Sequence, residues 1–378
     1  MRVGIINYRY PVFENGSQVQ ETVNSIAADP EVQQVVMMAA CYPSKNFYCP
    51  SNVSVVWVPL VTVPVLGAFV YTISLVFRGL TSEFNNVDVI NVFSARPVLA
   101  GKLLSLILNK PIVCTIEIIN PDQGHFADKI YNLYQRIAFG QKFDQVICWS
   151  RFYVDRYLSR WGVKQSLVSV IPCGIDVDLY AEPFQGQSIR EKFPKDKVLI
   201  VFAKPMYEYN RKTAELLLEA ASLLREEIPL HLLVGPGDQL NILKESVVRL
   251  KMEENVSYMP WVPFTEIPTY IEASDVIVLP FTYNPTTARS LFECLAMGKP
   301  VITTNMGEIS EILRDGEHAL IVEPEKGEVA AAIVKLIRDP KLQDKLGKNA
   351  QNLMRTEYSA QKIARRTVQV YDHVLNGQ

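Results

Sequence analysis

A chain of 378 residues is too long for one ordinary hydrophobic core and suits two domains. At 48% hydrophobic and 21% charged residues, with a formal net charge of −2, it reads as globular; with no Lys/Arg-rich block, it is not expected to bind nucleic acid. Six cysteines and four histidines are scattered with no CxxC pair and no two histidines at ligand spacing, so neither a zinc site nor a disulfide framework is expected and the thiols read as reduced and cytoplasmic.

In chain order, "RVGIIN" opens as a strand rather than as a signal peptide, and a helix is expected from Ser17 to Ala28. Strands follow at "VVMMA" and "VSVVWV". From Asn46 to Phe77 no residue is charged. Pro59 and Pro64 break this run, leaving about thirteen apolar residues after Pro64, roughly 20 Å of helix and too short to span a bilayer. Two readings remain open for residues 65–78. One is a helix buried in its own domain; the other is a helix docked peripherally on a membrane, at its inner face. Further strands fall at "VDVINVF", "PIVCTIEI", "QVICWS" and "VSVIP", with helices around "PVLAGKLLSLIL" and "KIYNLYQRIAF" between them.

The alternation restarts at "KVLIVFA" and runs through "LHLLVG", "VSYMP", "VIVLP", "PVITT" and "ALIVEP". Apolar runs of four to seven residues alternating with helical patterns point to parallel α/β sheets. The expected organisation is an N-terminal doubly wound domain over 1–172, a second over 173–357, and a helix over 358–378 that packs back toward the first. Ligands of such sheets bind at the carboxyl ends of the strands, and two sheets facing each other would share a cleft.

"NPTTARSLFECLAMG" reads as a loop and a helix ending near Gly298, with Asn284, Thr286 and Thr287 as N-cap candidates. The amino end of that helix suits a diphosphate. Glu293 could accept hydrogen bonds from a vicinal diol such as a ribose, or simply pair with Arg289 four residues earlier.

Five stretches together resemble the retaining glycosyltransferases of family 4, which have the GT-B fold. They are "VIPCGIDVDLY", "VFAKPMYEYNRKTAELLLEAA", "HLLVGPGDQ", "ASDVIVLPF…LFECLAMGKPVITTNMGEISEIL" and "DGEHALIVEPEKGEVAAAI". The resemblance implies two Rossmann-like domains facing across a cleft, and transfer of a sugar from a nucleotide sugar to a glycan or lipid-linked acceptor. It implies neither cofactor nor metal. Lys204 and Lys212 match the cations that hold the donor diphosphate, with Arg211 as the neighbour one residue away. Glu293 matches the glutamate that contacts the ribose. The first glutamate of the donor motif is replaced by Pro285, and Thr286, Thr287 and Arg289 stand where relatives carry a glycine-rich, apolar segment. Gly16 and Ser17 match the loop after the first strand. Glu117 takes the place of the histidine that relatives often carry after the fifth strand, with His125 a weaker substitute.

Two motif fragments are set aside: "DVD" at Asp176–Asp178 as a metal site, and "GPGD" at Gly235–Asp238 as a dinucleotide fingerprint. The missing first glutamate also keeps open a second reading, a non-catalytic GT-B protein that binds a nucleotide sugar or a protein partner.

Overall fold

Strands such as Arg2–Asn7 and Leu230–Val234 carry apolar side chains at successive positions, which is the pattern of a sheet covered on both faces. The computed structural model describes residues 1–8, 18–39, 49–59, 64–117, 126–181, 183–285 and 289–377. These form two compact units, Met1–Gly174 with Ala360–Gln378, and Ile175–Ser359.

The first unit holds a seven-stranded sheet in the order β3-β2-β1-β4-β5-β6-β7. Its strands are β1 (Arg2–Asn7), β2 (Gln34–Ala39), β3 (Val53–Trp57), β4 (Val89–Phe93), β5 (Ile112–Ile116), β6 (Gln145–Cys148) and β7 (Val168–Val170), all paired in parallel. Helices α2 (Pro64–Thr81), α3 (Val98–Leu108) and α4 (Phe126–Phe139) share one core, through Leu75, Leu104 and Phe139. The other core joins α1 (Gln18–Ala27) to the helix Ala360–Asn376, through Val23, Ile26, Val368 and Tyr371. The Tyr371 hydroxyl accepts a hydrogen bond from Asn91 Nδ2 (2.6 Å), and Asn91 Oδ1 accepts one from Thr115 Oγ1 (2.9 Å). That buried chain of polar groups fixes the returning helix on β4 and β5.

The second unit holds a six-stranded sheet in the order β10-β9-β8-β11-β12-β13, again parallel throughout. Its strands are β8 (Val198–Phe202), β9 (Leu230–Val234), β10 (Val256–Tyr258), β11 (Val276–Leu279), β12 (Val301–Thr304) and β13 (Leu320–Val322). The chain direction across each sheet reverses once, between β1 and β4 in the first and between β8 and β11 in the second. Such reversals open a crevice at the carboxyl ends of the flanking strands. Residues 203–207 and 280–285 flank the crevice of the second sheet.

The described part of the motif helix spans Arg289–Ala296, and Gly298 follows at φ +66°, a left-handed turn that ends it where the sequence pattern placed the end. The helix Pro340–Glu357, which the apolar pattern did not announce, packs on it; at their contact a Cβ on Gly347 would overlap the carbonyl of Gly298, so the helix needs glycine there.

Candidate functional site

Lys204 stands two residues beyond the end of β8, its amide donating to the Phe202 carbonyl (2.8 Å). Its Nζ lies 5.0 Å from the ring centroid of Phe281, just past β11, and has no hydrogen-bond or ion-pair partner among the described residues. Burial pulls this ammonium down to about 8, against a smaller opposing pull from Glu293. A half-buried cation with an apolar ring below it is poised for an incoming anion.

The loop is held from two sides. Met206 donates its amide to the Pro236 carbonyl (2.7 Å), and Gln239 donates to the Met206 carbonyl (3.0 Å). A Cβ at Gly235 would overlap the Lys204 carbonyl, and one at Gly237 the carbonyl of Met206. "GPGD" therefore has a packing role: its glycines let the β9 end press against the loop that carries Lys204. From the other side, the helix Glu208–Leu224 ties the two loops together. Asn210 donates to the Pro205 carbonyl (2.7 Å) and accepts from the Tyr283 hydroxyl (2.6 Å), while Thr282 donates its amide to Thr213 Oγ1 (3.3 Å). Arg211, on the same helix, is paired with Glu215 at 2.9 Å. Lys212 is exposed and takes no ion-pair partner among the described residues.

Glu293 is only 8% exposed. Its Oε1 accepts from Arg289 Nε (2.8 Å) and from the Tyr180 hydroxyl (3.0 Å). The pairing with Arg289 weighed from spacing is thus present. No described hydrogen bond reaches Oε2, which leaves that oxygen for a further donor. Pro285, at the place of the absent acid, is buried. Beside it, both polar atoms of the Asn284 amide and the Ser290 hydroxyl are sealed from solvent without a hydrogen-bond partner among the described residues. Each such group costs about 1–3 kcal/mol, a burden that native structures carry mainly where a ligand or a rearrangement relieves it.

In the first unit Glu117 follows β5. Its Oε1 is buried without a hydrogen-bond partner among the described residues, and burial raises the carboxyl to about 7. On the neighbouring strand Ser94 sits in the left-handed region at φ 64°, directly after β4. Arg96, exposed two residues later, lies over the Tyr8 ring at 4.4 Å.

Gly16, Ser17, His125, Thr286 and Thr287 lie outside the described residues. Sequence reading took Asn284 only as an N-cap candidate, quoted Tyr180 within a motif without giving it a role, and missed Arg96 and Tyr283, which no motif marks. Asp176 Oδ1 accepts from the amides of Asp178 (3.3 Å) and Leu179 (3.4 Å), an ordinary turn for that fragment. No group of three or more His, Cys, Asp or Glu among the described residues is arranged to hold a metal.

Residues 31–179 match the family described as Glycosyltransferase Family 4, and residues 197–339 the one described as Glycosyl transferases group 1. The chain belongs to the family 4, group 1 glycosyltransferases. A mannosylfructose-phosphate synthase of Agrobacterium fabrum is 26% identical over 65% of this chain and 57% of its own length. An alpha-maltose-1-phosphate synthase of Mycolicibacterium smegmatis is also 26% identical, over 73% of this chain and 76% of its own. The chain thus spans little more than half of the first of these relatives. Among solved structures, the Thermosynechococcus elongatus sucrose-phosphate synthase superposes with TM-score 0.81 at 19% identity, covering 100% of both chains. Anabaena HepE, solved with UDP and glucose, gives 0.77 at 17% identity, covering 98% of this chain and 99% of its own. Both share the GT-B architecture, so this glycosyltransferase has that fold.

Proposed function

We propose that the protein transfers a sugar from a nucleotide-sugar donor to a glycan or lipid-linked acceptor, with retention and without a metal. The observation that carries this reading is the partnerless ammonium of Lys204 at the chain reversal of the second sheet, in the same unit as the open oxygen of Glu293. In this reading the donor's anomeric C–O bond breaks and the nucleoside diphosphate leaves with the electron pair. Lys204, supported by Lys212, neutralises the charge that develops there, where fixed cations act most strongly. Glu293 Oε2 accepts from the ribose hydroxyls. Asn284 faces the transferred sugar in place of the acid replaced by Pro285. The acceptor binds the first unit, and Glu117, a carboxyl with a pKa near neutrality, takes the acceptor's proton as the new bond forms on the face the diphosphate leaves.

The test is a panel of nucleotide sugars read by thermal shift, since a ligand of the folded state raises the melting temperature. Donors that shift it are then offered with lipid-linked, glycan and phosphorylated sugar acceptors; the last are included because the two synthases above carry phosphate in their names. Transfer should survive EDTA, and the product anomer, read by NMR, should match the donor. Donor binding with no transfer to any acceptor favours the non-catalytic reading. Absence of both binding and transfer overturns the proposal.

A further inference from the structure

The α2–α3–α4 layer of the first unit presents an unusual outer surface. On the inside, Leu75, Leu104 and Phe139 are fully buried against the sheet. On the outside, Phe77, Leu103, Leu106, Ile130, Leu133 and Ile137 are 45–68% exposed. The exposed positions of α3 recur at spacings of three and four residues, as do those of α4, so each helix carries a second apolar stripe facing away from its core. More than half of the large exposed hydrophobics among the described residues belong to these three adjacent helices. Surface hydrophobics scattered singly need no explanation, whereas a continuous layer of them marks an interaction surface.

The charges identify the occupant. Neither α2 nor α3 contains an acid, and α4 contains one, Asp128. The same helices carry Arg78, Lys102, Lys129 and Arg136, in a chain whose overall balance is −2. Some of these cations sit in last turns, where the helix dipole alone would favour them. The apolar stripes have no such local explanation, and the two features together match an anionic interface with an apolar interior. A second copy of the chain would fit poorly, because a two-fold interface would set this cationic layer against itself. A protein partner would favour exposed Trp, Tyr and Arg anchors, and the stripes are mainly Leu and Ile.

We propose that the α2–α3–α4 face lies on an anionic lipid surface, its aliphatic stripes in the headgroup–acyl boundary and its cations at the phosphates. The surface reaches well beyond residues 65–78. α3 and α4 supply most of it, and among the described residues no helix is long and apolar enough to cross the bilayer. The chain rests on lipid rather than spanning it. This placement stands independently of sugar transfer.

Co-sedimentation with phosphatidylcholine vesicles containing roughly 30 mol% phosphatidylglycerol, against phosphatidylcholine alone, tests it. Wild type should bind the anionic vesicles, and Leu106→Asp/Leu133→Asp should lower the vesicle partition coefficient about tenfold or more. Both positions are exposed, so circular dichroism and melting temperature should be unchanged. Lys129→Glu/Arg136→Glu, a second variant free of any core residue, should lower the partition several-fold on anionic vesicles and leave any binding to neutral ones unchanged. The proposal is overturned if wild type binds neither vesicle, or if the double-Asp variant binds as wild type does. It is overturned equally if wild type is a dimer in solution that the double-Asp variant splits, since a second copy would then cover this face.

Discussion

The carboxyl edges of the two sheets are built on different plans. In the second unit the edge is knitted together. Asn210, Thr213, Tyr283 and the glycines of "GPG" lock the loops after β8 and β11 against one another, and Lys204 projects from that frame. In the first unit the described edge carries Glu117, Ser94 and Arg96 with few cross-links between them, and a buried carboxyl oxygen with no hydrogen-bond partner among the described residues. A fixed cation must already be oriented when charge develops on a leaving diphosphate, so a rigid frame suits the donor side. A carboxyl held near neutrality needs only burial. The first plan is written in packing, the second in desolvation, and they should fail differently when mutated.

The largest expected effect is at the rigid edge. Lys204→Met should cut turnover by about 10²–10³-fold, the scale of losing one fixed charge at a developing anion. Its melting temperature should hold or rise, because the change removes a desolvated ammonium. Since that ammonium titrates near 8, nucleotide affinity of wild type should fall as pH rises through that value, and the variant should lose the dependence. A variant that keeps its turnover would place the charge elsewhere.

Next comes the proposed ribose contact. Glu293→Gln should weaken nucleoside diphosphate binding by about 1.5–3 kcal/mol, roughly ten- to a hundredfold, by calorimetry. Tyr180→Phe removes a donor from Oε1 and leaves Oε2 untouched, so its effect should be much smaller. Equal losses in the two would mean that Glu293 acts only as the anchor of Arg289.

A smaller difference separates the neighbouring cations. If Lys212 supports the leaving diphosphate as proposed, Lys212→Ala should lower kcat by about tenfold. Arg211→Ala should change kcat less than about twofold, because its guanidinium is spent on Glu215 in a half-buried i,i+4 pair of small worth. The reverse ranking would shift the motif by one residue.

The smallest effect, and the one that isolates the desolvated edge, is thermal. Glu117 ionises at about 7 when folded, against an ordinary 4.5. The folded state therefore holds the proton more tightly, and this contribution to stability is complete below about 4.5 and lost as pH rises through 7. Glu117→Gln cannot ionise, so its melting temperature should fall a few degrees less than wild type between pH 5 and pH 8. Parallel curves for the two proteins would show that Glu117 is solvated.

Much of this architecture is legible in the sequence because parallel strands buried on both faces leave unbroken apolar runs, as in β8 and β11. The helix Pro340–Glu357 was not legible, since its buried side is built from Leu346, Gly347, Ala350 and Met354, small residues that give little apolar contrast. Glu293 and Lys204 were found through motif resemblance. What spacing could not show is that Glu293 Oε1 is already occupied while Oε2 is open, because that depends on Tyr180, 113 residues away along the chain. Asn284 was hidden for a similar reason: only packing reveals that the amide of an N-cap candidate is buried with no hydrogen-bond partner among the described residues. The outer face of α3 was hidden in another way. An apolar helix announces burial, and periodicity does not say on how many sides.

The return of Ala360–Asn376 to the first unit has a consequence for the order of events during synthesis. Ribosomes deliver the chain from its amino end, at roughly 5–20 residues per second. All seven strands of the first sheet emerge well before Val368 and Tyr371, which complete one of its two cores. The second unit, Ile175–Ser359, is contiguous and can close while its predecessor still waits. For an interval on the order of tens of seconds, the core of Val23 and Ile26 on α1 lacks the side that Val368 and Tyr371 later close. The first unit to be made is thus the last to be finished, and a nascent chain stalled before residue 360 would expose an apolar face that chaperones and proteases can recognise.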